Sequence, residues 1–204
     1  MLTKVLRLVL QICLVCPVVV FGQVGPDSYH GPNALGLFHL QQSTSMKMLI
    51  AQLGITPSGK DIYCFEDVQH GTFLYVQSMH DGTDRVGSVL LSLFPNCKGI
   101  PVHSVVIDPA EWKTPDGIGL SSPENEVLKK FGKPAYERQI GANGARGVIA
   151  NPRGVDLSKV SVGDDRIGYA CSTSEGEGCS NDMRVTEFGF SKHQVVWIRA
   201  SVGE

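Results

Sequence analysis

Ser122-Pro123-Glu124-Asn125-Glu126-Val127-Leu128-Lys129-Lys130-Phe131-Gly132-Lys133-Pro134 reads as a complete helix with its own start and stop. Ser122 is placed to cap the first turn, and Pro123 stands at the first helical position, where a missing N–H costs nothing. Glu124 and Glu126 complement the positive end of the helix dipole, and Lys129 and Lys130 the negative end. Val127, Leu128 and Phe131 share one face, which the helix must bury. Gly132 supplies a positive-φ stop, and Pro134 prevents continuation. The stretches that follow are shorter and alternate in polarity, which predicts strands at 135–140, 166–171, 183–190 and 194–200. A loop rich in Gly and Asn spans 141–165, and Ser191-Lys192-His193 reads as a hairpin turn.

The upstream half repeats this order. Leu49, Ile50 and Leu53 fall on one face of a helix starting at Met46, and Gly54 can end it. Strands are expected at 61–68, 72–79, 86–94 and 102–107, with turn chemistry at His70-Gly71, Asp81-Gly82, and Pro95-Asn96 with Gly99. Residues 49–54 and 127–132 share one pattern: two apolar residues, two spacers, an apolar residue and Gly. The expected fold is therefore α+β, with two tandem units, each a short helix packed on an antiparallel β-meander. The units span 45–107 and 121–204, after an irregular N-terminal arm at 23–44 and around a linker at 108–120 that carries Trp112. Alternation along 88–93 and 196–200 gives each meander one apolar face. The opposite face is expected to stay open, with Tyr75, Gln77, Trp197 and Arg199 as candidate partner contacts.

The run Gly117-Ile118-Gly119-Leu120-Ser121-Ser122-Pro123, then Glu126-Val127-Leu128, then Phe131-Gly132-Lys133-Pro134, resembles a signature of small bacterial envelope domains. The lipoprotein subunit of the outer-membrane β-barrel assembly machinery carries it, and the β-lactamase inhibitor protein has a related fold of two tandem helix-and-sheet repeats. The resemblance covers about 18 of the 204 residues and rests on a capped helix with a Gly-Pro exit. It implies a fold and a compartment, and it transfers no functional residue.

Residues 1–22 have the form of a secretory signal: Lys4 and Arg7 precede an apolar run from Leu8 to Phe21, with a small residue at Gly22. That run is shorter than the roughly 20 residues a membrane span needs. Cleavage there would leave 16 Lys and Arg against 20 Asp and Glu, a net charge of −4. An acidic balance argues against a nucleic-acid-binding surface. The remaining Cys64, Cys97, Cys171 and Cys179 form an even set, which in an exported, periplasmic or extracellular chain reads as disulfides. The expected pairs are Cys64–Cys97 and Cys171–Cys179, each within its own half.

Catalytic patterns fail on inspection. Gly54-Ile55-Thr56-Pro57-Ser58-Gly59-Lys60 has the glycine spacing of a phosphate loop, but Asp61 follows where Ser or Thr must bind magnesium. His80-Asp81-Gly82-Thr83-Asp84 offers a nitrogen and two carboxylates to a metal, yet Asp-Gly between two strands is already a hairpin signal. No cofactor, metal or catalytic residue is therefore assigned. The expected function is a non-catalytic interaction module that binds another protein or an envelope component, with no membrane span once the leader is removed. The alternative is a secreted hydrolase whose site follows no recognised pattern.

Overall fold

The computed structural model describes residues 31–40, 42–79, 81–95, 97, 99–134, 136–139, 165–171 and 183–203. The expected leader and the Cys171–Cys179 pairing lie outside the described residues. Two helices and ten strands follow in chain order: β1 Ala34–Leu35, β2 Phe38–His39, α1 Met46–Gln52, β3 Ile62–Asp67, β4 Thr72–Ser78, β5 Val86–Ser92, β6 Val102–Ser104, α2 Glu124–Phe131, β7 Tyr136–Gln139, β8 Asp165–Cys171, β9 Met183–Ser191 and β10 Gln194–Gly203. The protein is α+β, with a mostly antiparallel sheet.

Eight strands form one sheet in the order β6-β3-β4-β5-β10-β9-β8-β7. Both meanders are present, but they do not stay apart. β10 pairs antiparallel with β5, Ile198 opposite Leu91 and Ala200 opposite Val89, and this closes the two runs into a single layer. The first meander also ends differently from expectation. β6 lies parallel to β3, with Cys64 opposite Val102 and Glu66 opposite Ser104. A parallel neighbour requires a crossover, and residues 93–101 make it by returning from β5 to the far side of β3.

Both helices serve the same face. Met46, Leu49 and Ile50 of α1 and Val127 and Phe131 of α2 join Phe65, Leu74, Val89, Leu91, Phe188 and Ile198 in one apolar cluster that runs under both halves. Each fully buried side chain of this size contributes roughly 1.5–3 kcal/mol. α2 adds an aromatic contact, Phe131 stacked on Phe188 at 5.8 Å and edge-on to Tyr169 at 5.6 Å. The described part of the expected N-terminal arm is not irregular. β1 and β2 form a small hairpin whose Leu35 and Phe38 enter the main cluster. Its turn is fixed by Trp112, which is buried: a Cβ on Gly36 would stand 2.7 Å from the indole ring.

Two local readings of α2 need correction. Pro123, not Ser122, occupies the cap position, and it makes no side-chain cap hydrogen bond. The Ser122 hydroxyl instead accepts from the Gly119 N–H at 3.0 Å, because the chain must turn before the helix begins. Gly132 has φ 73° as expected, but with ψ −149°. That combination is essentially restricted to glycine and lies away from the left-handed helical basin. Gly132→Val is therefore expected to cost about 1–3 kcal/mol, read as a lower denaturant midpoint with an unchanged slope.

Candidate functional site

The second face of the sheet is not open. Tyr75 and Trp197 are each 2% exposed and Gln77 is 5% exposed, while the Arg199 side chain is half-buried. The expectation that these four residues form a solvent-facing contact surface is therefore corrected. The cause is the 93–101 crossover, which passes over this face. The disulfide Cys64–Cys97 pins it to β3, with Cα atoms 5.9 Å apart. Leu93, Phe94, Cys97 and Ile100 then pack on Cys64, Tyr75, Leu90, Val196 and Trp197 as a second apolar cluster.

Charges on this face are paired. Glu187 on β9 sits 3.5 Å from Arg166 on β8 and 3.4 Å from Arg199 on β10, so a row of alternating charge crosses three strands. Arg199 is thus held by the fold. Burial pushes the Tyr75 phenol up to about 12, with the Arg199 charge opposing the shift. The Tyr75 hydroxyl and the Trp197 Nε1 are buried without a hydrogen-bond partner among the described residues.

A cleft of about 340 Å³ opens elsewhere, where α1, the 57–61 loop and the β4–β5 hairpin meet. The hairpin is tied down first. Asp81 accepts from the Thr83 hydroxyl at 2.5 Å, from the Arg85 guanidinium and from the Thr83 N–H at 2.9 Å, and these bonds, the Thr83 hydroxyl first, hold its carboxyl well below the usual range. Asp84 then clamps the start of α1: one oxygen accepts from the Ser45 hydroxyl at 2.7 Å and the other from the Lys47 N–H at 3.2 Å. Ser45 in turn caps the helix by accepting from Met48 N–H at 3.2 Å. On the opposite wall the Tyr63 phenol oxygen accepts from Ser58 N–H at 2.7 Å and lies 3.1 Å from the Ser58 hydroxyl. Burial raises its pKa, but the bonds from Ser58 and from the Gly59 and Lys60 backbone outweigh this and leave it lowered.

The cleft includes residues of two sequence patterns. The 54–60 glycine loop presents its N–H groups to a side-chain oxygen of this chain, in front of a strand. Asp81 and Asp84 hold the hairpin and the helix. The neighbouring His80 lies outside the described residues. Among the described residues no group of three or more His, Cys, Asp or Glu is placed to share a metal ion. Lys47 and Tyr63 escaped the sequence reading, and Lys60 entered it only as the end of a phosphate-loop pattern. Contacts nearly 40 positions long, Ser45 and Lys47 to Asp84, bring α1 and the hairpin together.

Two histidines pair with carboxylates away from the cleft. His193 Nδ1 meets Glu124 at 2.7 Å and joins the β9–β10 turn to α2. His70 Nδ1 meets Asp67 at 2.7 Å, and since a carboxylate only accepts, that nitrogen carries the proton. Asp67 also accepts from Ile107 N–H at 2.7 Å and from Gln69 N–H at 2.9 Å, which fastens the chain after β6 to the β3–β4 turn. These bonds, the His70 side chain first, lower its pKa to about 2. A carboxyl depressed by folding stabilises above its unfolded value of about pH 4, and that contribution is lost as pH falls through about 2. Urea midpoints measured from pH 5 to pH 2 should fall across this window, and Asp67→Asn should flatten the fall. Identical slopes would remove Asp67 from the acid transition.

No family model matches this chain, and no curated protein or solved structure matches it. No helix among the described residues is long and apolar enough to cross a membrane.

Proposed function

We propose that the protein is an exported, non-catalytic module that binds another protein or an envelope component through the surface around the 57–61 loop and the β4–β5 hairpin. One observation carries the reading. In the cleft both Asp84 oxygens and the Tyr63 phenol are spent on internal hydrogen bonds, while Lys47 and Lys60, exposed residues of its lining, have no side-chain hydrogen bond or ion pair among the described residues. Such a surface offers charge for contact. Cys64 and Cys97, thiols that could otherwise serve as nucleophiles, are bonded to each other. Export is supported by that bond together with the signal-like 1–22 segment. The order of the halves, α1 before β3–β5 and α2 before β7–β10, supports a duplicated helix-and-meander unit, as in the bacterial envelope domains that residues 117–134 resemble.

The test is affinity capture from envelope extract, with the exported protein as bait and Lys47→Glu/Lys60→Glu as the matched variant. A partner retained by the parent and lost by the variant is expected. Equal retention would move the contact elsewhere, and turnover of a polymer or ester by the parent would replace binding with hydrolysis.

A further inference from the structure

We propose that strand β6 pairs antiparallel with β6 of a second copy of this chain, joining two sheets edge to edge. β6 ends the eight-stranded sheet and has β3 on one side only. Its inward bonds are accounted for. Cys64 stands opposite Val102 and Glu66 opposite Ser104. Val105 N–H donates to the Glu66 carbonyl at 3.1 Å, and Ile107 N–H to the Asp67 carboxylate at 2.7 Å. Successive backbone groups of an extended chain point to opposite sides, so the N–H and C=O of Val102, Ser104 and Val106 point outward. These three residues are exposed, and their outward groups meet no partner among the described residues. An unpaired edge of this kind is a template for another strand.

The sequence of the edge selects that strand. In Val102-His103-Ser104-Val105-Val106 the outward residues are symmetric about Ser104. Antiparallel pairing centred there sets Val102 against Val106 of the second copy and Ser104 against its own counterpart. Each of these residues then exchanges both backbone bonds with the residue opposite. Apolar side chains meet apolar ones: Val102 is 47% exposed and Val106 73%. The β3–β6 register, carried two residues past Glu66, brings Val68 level with Val106, and Val68 is also 73% exposed. Cross-strand contacts between such side chains stabilise a sheet. A two-fold axis at Ser104 buries the same valines on both copies, as a closed dimer requires.

Charge does not oppose the seam. No Asp, Glu, Lys or Arg occurs from Gly99 to Ile107, so the strand itself lacks the charged guards that commonly blunt an edge. Glu66, one strand in, faces its own copy across three strand spacings, about 14 Å, beyond the screening length of about 8 Å at physiological salt. Pro101 and Pro109 bracket the strand and keep the seam short. So short a seam falls below the roughly 1,200 Å² of a standard interface, and the dimer is therefore weak and set by protein concentration. It uses no residue of the cleft lining, so it stands apart from the contact surface proposed there.

The experiment is sedimentation equilibrium of the exported, oxidised protein from about 10 µM to about 1 mM, a range that brackets a weak interface. Ser104→Lys and Ser104→Glu are the variants. Both change an exposed side chain, and thermal melts check that both stay folded. The parent's mass is expected to rise with concentration towards twice that of the monomer. Each variant alone should associate about fivefold more weakly, because like charges then stand directly opposite each other. An equimolar mixture of the two should recover the parent's association, because Lys then faces Glu. A parent that stays monomeric throughout overturns the proposal, as does a Ser104→Lys variant that associates as tightly as the parent. A mixture no tighter than its components would remove Ser104 from the two-fold axis and overturn the pairing. Hydrogen-exchange protection of the Val102, Ser104 and Val106 amides that appears with envelope extract, and not with more of the protein itself, would give the edge to a foreign strand and overturn self-pairing.

Discussion

Gly189→Ala should be the most damaging single-methyl change in the described sheet. Gly189 on β9 stands directly opposite Trp197 on β10, and a Cβ there would overlap the indole nitrogen and the adjoining ring carbon. The indole has nowhere to retreat. It is 2% exposed and packed with Tyr75 and Leu90 beneath the 93–101 crossover. Backbone lies on one side and the disulfide-bound crossover on the other. The expected cost is about 3 kcal/mol or more, a drop in melting temperature of roughly 6–12 °C for a chain of this size. Trp197→Leu placed in the same protein should recover part of the loss, since the two sites are in contact and should not add. A Gly189→Ala protein that melts with the parent would mean that the indole lies elsewhere.

Breaking Cys64–Cys97 should come close to that effect by another route. The bond joins residues 33 apart, and constraining a loop of that length removes unfolded-state entropy worth about 3–4 kcal/mol. It also fastens the crossover at its middle. Cys97→Ser should therefore lower the denaturant midpoint and, because the unfolded chain is no longer cross-linked and exposes more surface, raise the m-value of unfolding. Reduction of the parent by a dithiol should reproduce the loss. A midpoint unchanged in Cys97→Ser would show that the packing of Leu93, Phe94 and Ile100 alone holds the crossover.

Much of this architecture is legible in local pattern. Alternation of Val89 and Leu91 with Ser88 and Ser92 marks β5 and its core face, and Leu49, Ile50 and Gly54 mark α1 and its end. The Gly132 stop and the Cys64–Cys97 pair are equally local in their logic. What escapes is long-range. Nothing in 86–92 or 194–203 states that β5 and β10 will pair, because each already has a hairpin partner and the free edge looks the same to any strand. The parallel placement of β6 escapes for a related reason: 102–107 carries strand propensity without direction.

The misreading of Tyr75, Gln77, Trp197 and Arg199 follows from that one crossover. A sheet face with an aromatic, an amide and a guanidinium reads as solvent-facing, until a disulfide-anchored segment is laid across part of it and Glu187 is found between two arginines. The cleft was hidden for the same kind of reason. Lys47, Lys60 and Asp84 are ordinary surface residues in sequence. They become neighbours where Asp84 holds Ser45 and Lys47 and the Ser58–Tyr63 bond holds the 57–61 loop.

Where a partner can bind depends on whether the second sheet face is closed, and Trp197 reports on that directly. Trp112 is the other indole and is equally buried, so Trp112→Phe leaves a single indole, on the face in question, to be excited apart from tyrosine. Acrylamide quenching of the folded, oxidised variant should be weak, with emission blue-shifted as for an indole in apolar surroundings, and both should revert in denaturant. Emission at the wavelength of solvated indole, quenched as readily in the folded protein as in the unfolded one, would show an open face and return Tyr75 and Trp197 to the contact surface.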